Sequence, residues 1–253
     1  MTALEHVQRH QPEGVPPLEL TGERTLPDVP AENYWFQRHL AVYRWIADRC
    51  GGLHVVDMAC GEGYGADLLA RRAASVTGVD ANPDAHEHAK LKYTRPGVRF
   101  VRELVENYEE PCDAVVFLQT IEHVERPEEV LDHFRAMLRP GGTAYVSTPN
   151  VLTLAPPGAK RSDNPWHLRE YRAHEFRALC ERSFDSVELL GLFHARKLRA
   201  HELALRMGWD SLHPVVGLTG PFYDWFTPAI SASDFVLRPA PIERALDCLA
   251  ILQ

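Results

Sequence analysis

Along the first half of the chain, apolar runs alternate with helix-like stretches at the spacing of a β-α-β succession. Val55-Val56 stops at Asp57 and enters the turn Met58-Ala59-Cys60-Gly61-Glu62-Gly63-Tyr64-Gly65, after which Ala66 to Ala74 reads as a helix. Val76-Thr77-Gly78-Val79 ends at Asp80, Asn82-Pro83 starts a helix that runs to Tyr93, and Val98-Arg99-Phe100-Val101 is a short strand. Ala114 to Leu118 is wholly apolar, as a central parallel strand covered on both faces must be. Glu128 to Leu138 predicts a helix stopped by Arg139-Pro140-Gly141-Gly142, and Thr143 to Thr148 a strand ended by Pro149-Asn150. Beyond a loop at 151–165 come a helix from Arg172 to Ser183, a strand from Val187 to Phe193 and a basic helix over 194–208. Pro214 to Ser233 reads as an irregular aromatic insert, and Leu246 to Leu252 as a final strand.

This alternation predicts an α/β fold: a Rossmann-like, seven-stranded, mostly parallel sheet with helices on both faces. Residues 1–20 are polar and carry Pro12, Pro16 and Pro17, so they are expected to be mobile. Residues 21–253 are read as a single domain. It opens with the polar stretch Thr21-Gly22-Glu23-Arg24-Thr25, followed by an amphipathic helical lid at 31–50 with Tyr34, Trp35, Leu40, Tyr43, Trp45 and Ile46 on its apolar positions. Residues 194–240 are read as an insert on the acceptor side.

Open α/β sheets bind ligands at the carboxyl ends of their strands, so Asp57, Asp80 and Gln119 should share one crevice. The glycine pattern alone fits a dinucleotide loop equally well, or an ordinary turn with no ligand. The charges discriminate. A pyrophosphate needs bare backbone N–H groups at a helix N-terminus, and carboxylates at Asp57 and Glu62 would repel it. They suit a ligand that carries an ammonium and a sulfonium. Asp80 stands where an acid accepts hydrogen bonds from ribose hydroxyls.

Four stretches, VVDMACGEGYGADLLA (55–70), VTGVDANPDA (76–85), CDAVVFLQTIEHV (112–124) and LRPGGTAYVSTPN (138–150), together resemble the class I S-adenosylmethionine-dependent methyltransferases. The resemblance implies S-adenosylmethionine as cofactor and a last strand that runs antiparallel. It implies cofactor contacts from Asp57, Ala59, Gly61, Gly63, Tyr64, Asp80, Ala81 and Gln119, with Glu103 and Leu104 at the adenine. The segments TGERTLPD…NYWF and STPN…NPWHLREY resemble a subgroup that acts in polysaccharide synthesis, of the methylglucose lipopolysaccharide type. By that resemblance Tyr34, Arg38 and His39 close over the methionine carboxylate. It implies an O-methyltransferase acting on a sugar hydroxyl of an intracellular oligo- or polysaccharide. Methylation of a small aromatic or quinone-like metabolite and a noncatalytic cofactor-binding role stay open as alternatives.

A hydroxyl acceptor requires a base or a metal ion. Two segments offer one: Glu122-His123 after the central strand, and Asn164-Pro165-Trp166-His167-Leu168-Arg169-Glu170-Tyr171, where His167 and Glu170 share a face if that piece is helical. His123 and His167 are the candidate bases, near parity. A divalent metal on Glu122, His123, His167 and Glu170 is the less favoured arrangement, because metal-binding relatives carry a further acid where this chain has Gln119. The other histidines, His86 and His88 among them, read as solvated helix positions, apart from the lid residue His39.

The net charge of -8 disfavours a nucleic-acid acceptor, which is gripped through Lys and Arg on phosphates. No apolar run is long enough to span a membrane and no signal pattern opens the chain, so a cytoplasmic protein without membrane contact is expected. Five scattered cysteines without a C-x-x-C read as free thiols. A homo-oligomer is compatible with all of this.

Overall fold

The computed structural model describes residues 8–21, 24–156, 159–207, 209, 219–239 and 241–253. Its elements in chain order are α1 (Asn33–Ala47), β1 (His54–Met58), α2 (Tyr64–Leu69), β2 (Ser75–Val79), α3 (Pro83–Lys92), β3 (Val98–Val101), β4 (Cys112–Leu118), α4 (Pro127–Met137), β5 (Leu138–Pro149), α5 (Val151–Leu154), α6 (Ala173–Cys180), β6 (Val187–His194), α7 (Arg196–Arg206), α8 (Thr219–Ala229), β7 (Phe235–Arg238) and β8 (Asp247–Leu252). They form one eight-stranded sheet in the order β3-β2-β1-β4-β5-β8-β6-β7. The strands from β3 to β5 are parallel, and β8 runs antiparallel between β5 and β6. The Rossmann-like architecture and the antiparallel last strand are as the sequence implies.

Alternation along the strands builds two cores. Val115 and Phe117 of β4 face a cluster with Val130, Leu131 and Phe134 of α4 and Phe176 and Leu179 of α6. Ala114 and Val116 face the opposite cluster with Val42, Tyr43 and Ile46 of α1 and Ala66 and Leu69 of α2. Successive residues of a strand point to opposite faces, so one apolar run feeds both layers. Helix α3 starts where Asn82 and Pro83 predict: the Asn82 side chain accepts hydrogen bonds from the backbone N–H groups of Asp84 and Ala85, and Pro83 occupies the first turn.

The structure departs from the sequence reading at three elements. Among the described residues there are eight strands, not seven; β7 is a four-residue edge strand antiparallel to β6, just past the stretch 214–233 read as irregular. In that same stretch α8 forms despite Pro228, while Gly208 and residues 210–218 lie outside the described residues. Arg139-Pro140-Gly141-Gly142 does not break the chain between elements. It lies within β5, whose pairing with β4 shifts register between Cys112 and Ala114.

The N-terminal segment expected to be mobile is anchored at several points over its described part. Gln8 is buried, and Val15 and Leu18 are covered. Leu18 packs with Leu26 and Val29 in a small satellite cluster. Within 194–240, α8 lies against α1 and α7 against β6, and Asn33 donates through its side-chain amide to the carbonyls of Thr227 and Ile230. All five cysteines are free and buried. No helix among the described residues is long and apolar enough to cross a membrane.

Candidate active site

The carboxyl ends of β1, β2 and β4 converge, as the crevice argument requires. Cys60 donates its N–H to the Val79 carbonyl at 3.0 Å, and Gly61 donates to Asp80 Oδ2 at 2.8 Å, so the loop after β1 is tied to the end of β2. Asp80 Oδ1 accepts from the Asn82 N–H at 2.9 Å. The loop turns through positive φ at Ala59 (54°), Gly61 (55°) and Gly63 (97°). A Cβ on Gly63 would lie 2.9 Å from the Ala89 Cβ, so glycine is required there by packing as well as by φ. A Cβ on Gly61 would meet nothing within 4 Å: that face of the loop is open.

Asp57 is fully buried behind the loop. Its Oδ1 accepts the Tyr43 hydroxyl at 3.0 Å, while its Oδ2 is buried without a hydrogen-bond partner. Burial pushes the Asp57 carboxyl up to about 8, since a carboxylate taken from water is disfavoured. Tyr43 reaches Asp57 across a gap that only Gly65 leaves open; a Cβ on Gly65 would fall 2.2 Å from the Tyr43 ring.

Glu62 does not play the part the charge argument gave it. Its side chain points away from the open face and is 1% exposed. Oε1 accepts from Gln8 Nε2 (3.0 Å), His88 Nε2 (3.0 Å) and Lys92 Nζ (2.6 Å), and Oε2 accepts the Tyr93 hydroxyl (2.6 Å). The ammonium of Lys92 consumes its charge, so Asp57 alone carries the argument for a cationic ligand. His88, expected in solvent, is buried in this network and also bonds the Pro16 carbonyl.

Two adjoining cavities open along the strand ends. The smaller, about 70 Å³, lies on the loop side among Tyr43, Ala59, Cys60, Gly61 and Tyr64. The larger, about 350 Å³, is lined by Glu32, Trp35, Glu122, His123, Ser162, Asn164 and His167 among others. Arg24, Thr25, His39 and Gln119 line both. Gln119 holds this position in a left-handed conformation (φ 52°), with its N–H and its side-chain amide both directed at Ser147. A cavity of about 560 Å³ opens on the far side of Glu170 among Arg161, Arg169 and Arg182, and contains none of the strand-end residues.

The two segments that could supply a base meet in the larger cavity. Leu168 and Arg169 donate their N–H groups to the Glu122 carbonyl. The rings of His123 and His167 lie 5.0 Å apart, edge to face. His123 Nδ1 sits 2.8 Å from the Trp166 carbonyl, which fixes Nδ1 as the protonated nitrogen and Nε2 as the basic one. His167 Nδ1 bonds Glu170 Oε1 at 2.7 Å, and its Nε2 faces the Asn164 side-chain amide at 3.0 Å. Glu170 also accepts from the Ser162 N–H and hydroxyl. These hydrogen bonds hold its carboxyl below the usual range. Glu122 is 1% exposed, accepts from Thr148 Oγ1 at 3.1 Å, and is raised to about 8 by burial. One ligand atom each from Glu122, His123 and His167 falls within 4.8 Å of the others, a geometry that could hold a metal ion. Glu170 stands outside that group of three, bound to His167.

The lid residues separate. His39 lines both cavities, and desolvation lowers it to about 4, so it is neutral. Tyr34 turns away to His194 Nε2 at 2.8 Å. Arg38 is 4% exposed, and its guanidinium is taken by Asp247 and the Leu246 carbonyl. That pairing is its charge partner in place of a methionine carboxylate. Ala81 is exposed just beyond Asp80. Glu103 and Leu104 follow β3 outside both cavities, where Glu103 accepts from the Leu104 N–H and Asn107 Nδ2. The sequence reading singled out neither Thr25, Trp35, Ser162 nor Asn164 as site residues. Their only signal was adjacency to the polar Thr21–Thr25 stretch, the lid and the His167 segment.

The family model for a methyltransferase domain matches residues 34–203. A Mycolicibacterium smegmatis protein named "Probable S-adenosylmethionine-dependent methyltransferase" is 39% identical over 247 residues, covering 92% of this chain and 94% of its own. A Mycobacterium tuberculosis protein of the same description is 40% identical over 261 residues, covering 96% and 93%. Among solved structures, a Thermotoga maritima S-adenosylmethionine-dependent methyltransferase, described as a possible histamine N-methyltransferase, shares the fold at TM-score 0.59 and 16% identity over 88% of this chain and 95% of that one.

The residues at the loop fit the cofactor these relatives are named for. Asp57 Oδ2 is a buried acceptor without a donor, as an ammonium requires. The open face of Gly61 admits close approach of the methionine portion. Each Asp80 oxygen accepts one N–H and keeps lone-pair capacity toward ribose hydroxyls. From loop geometry, strand-end acids and near full-length similarity alike, the chain belongs to the class I S-adenosylmethionine-dependent methyltransferases and is an enzyme of that family.

Proposed function

We propose that this methyltransferase acts on a hydroxyl of a carbohydrate acceptor, with His123 as the general base. S-adenosylmethionine supplies a methyl group already activated on a sulfonium. What is left to the protein is alignment of the acceptor and removal of its proton. The observation that carries the reading is the Trp166 carbonyl on His123 Nδ1, which leaves Nε2 as the basic nitrogen in the cavity that adjoins the glycine loop. With the cofactor bound, the acceptor oxygen would bond to the methyl carbon as the sulfur–methyl bond breaks and the thioether product leaves, and His123 Nε2 would take the hydroxyl proton. His167, whose Nε2 faces the Asn164 amide, is the second candidate. With Glu170 it braces the segment that presents the Trp166 carbonyl to His123.

The carbohydrate class is supported by the lining. Glu32, Ser162 and Asn164 offer polar groups, and Trp35 at 39% exposure offers an indole for the apolar face of a sugar ring. Trp166, 48% exposed, stands beside the base. A base of this kind contributes on the order of 10²- to 10⁴-fold.

The test uses radiolabelled S-adenosylmethionine with α-glucan and mannan oligosaccharides, a catechol and RNA as acceptors. Label is expected in an oligosaccharide, with turnover reduced about 100-fold or more in His123→Ala, and a smaller loss in His167→Asn and Glu170→Gln. Label confined to the catechol would replace the carbohydrate reading by one with a small aromatic acceptor. Full turnover in His123→Ala would refute the base assignment.

A further inference from the structure

We infer that Arg24 binds the α-carboxylate of the cofactor's methionine portion and, with Asp57 at the ammonium, brackets the amino acid as a zwitterion. Arg24 then has a function of its own, independent of the acceptor's identity.

The loop-side cavity needs a cation. A carboxylate brought beside a buried acid and out of water is disfavoured unless a donor compensates it, and guanidinium answers it with two parallel N–H bonds. Arg38 is spent on Asp247 and the Leu246 carbonyl. Lys92 is spent on Glu62. His39 is present but neutral. Among the described residues, Arg24 is the only lysine or arginine that lines either cavity, and it lines both.

Its state is that of a group awaiting a partner. Arg24 is half-buried, yet it makes no hydrogen bond or ion pair among the described residues. The chain on its C-terminal side is anchored. Leu26 is fully buried and Val29 nearly so, packed with Leu18 in the satellite cluster. A cation held by its neighbours at the junction of two cavities, partly desolvated and unpaired, is poised for an anion. The loop supplies the complementary charge. Asp57 Oδ2 lacks a donor in the same strand-end crevice.

The test compares two ligands that differ only in the carboxylate: S-adenosylmethionine and its decarboxylated form. Dissociation constants are measured by titration calorimetry on the full chain, without acceptor, for wild type, Arg24→Met and Arg24→Lys. Wild type should prefer S-adenosylmethionine by roughly 10- to 100-fold, the range of a charge-assisted bidentate pair. Arg24→Met should abolish that preference and leave the affinity for the decarboxylated ligand within about twofold. Arg24→Lys should retain part of it, since a lysine keeps the charge but not the fork. Equal weakening of both ligands, or an unchanged preference, would overturn the inference. So would collapse of the preference in folded Arg38→Met but not in Arg24→Met, which would return the carboxylate to Arg38. Because no acceptor is present, the outcome is independent of the carbohydrate reading.

Discussion

The unpartnered oxygen of Asp57 makes cofactor binding a proton-linked event. In the ligand-free enzyme burial holds this carboxyl at about 8, so at neutral pH it is protonated in most molecules. An ammonium beside Oδ2 favours the charged form, so binding expels the proton, and affinity must rise with pH below that value. The ligand's own α-amino group titrates near 7.7–8.0, which turns the full profile into a bell with its maximum close to pH 8. On the rising limb, from about pH 6 to pH 7, the two ionisations together give an increase of about eightfold, with close to one proton released per ligand. Calorimetry in buffers of different ionisation enthalpy measures both quantities. Asp57→Asn should flatten this limb, and 5′-methylthioadenosine, which lacks the amino-acid portion, should bind with no such dependence. Glu122→Gln should keep the dependence, since Glu122 lines the larger cavity and not the one at the glycine loop. Affinity constant over this interval in wild type, or an unaltered slope in Asp57→Asn, would refute the reasoning.

Three further outcomes are expected. Gly65→Ala drives a methyl into the Tyr43 ring and strips Asp57 of its one donor; overpacking and a lost buried hydrogen bond together should cost about 2–5 kcal/mol, read as a lower melting temperature and weaker cofactor binding. Asp247→Ala leaves the buried guanidinium of Arg38 with only the Leu246 carbonyl and should cost about 3–5 kcal/mol in denaturant unfolding, with much of it restored when Arg38→Met is added. Chelation should leave turnover unchanged if His123 acts as a metal-free base; loss of activity with EDTA, restored by one divalent ion, would instead assign Glu122, His123 and His167 to that ion.

What the sequence made legible was local. Asp57, Gly61, Gly63, Asp80 and Gln119 sit at strand ends or in one tight loop, where spacing of a few residues decides geometry. The same holds for Asn82 and Pro83 at the start of α3. What stayed hidden depended on partners far along the chain. Arg38 looked like an anion-binding residue because Asp247, 209 positions away, gives no sign of pairing with it. Glu62 looked like a ligand-facing acid because its side-chain direction is set by Lys92 and Tyr93 on or just after α3, and by Gln8. The edge strand β7 is four residues long and paired on one side only, too short for its alternation to stand out. His123 and His167 could be named from the sequence, but the Trp166 carbonyl on one and the Asn164 amide on the other come from backbone and side-chain geometry that spacing does not show.

The wall shared by the two cavities bears on inhibitor design. Arg24, Thr25, His39 and Gln119 border both cavities at once, so on the proposed reading a single molecule that joins an adenosyl amino acid to a sugar would thread its linker past these four side chains. Such a tethered ligand gains from effective concentration, because binding of one half presents the other to its own cavity. The length of the linker that binds most tightly would then measure the path the methyl group travels, as a molecular ruler laid across the enzyme.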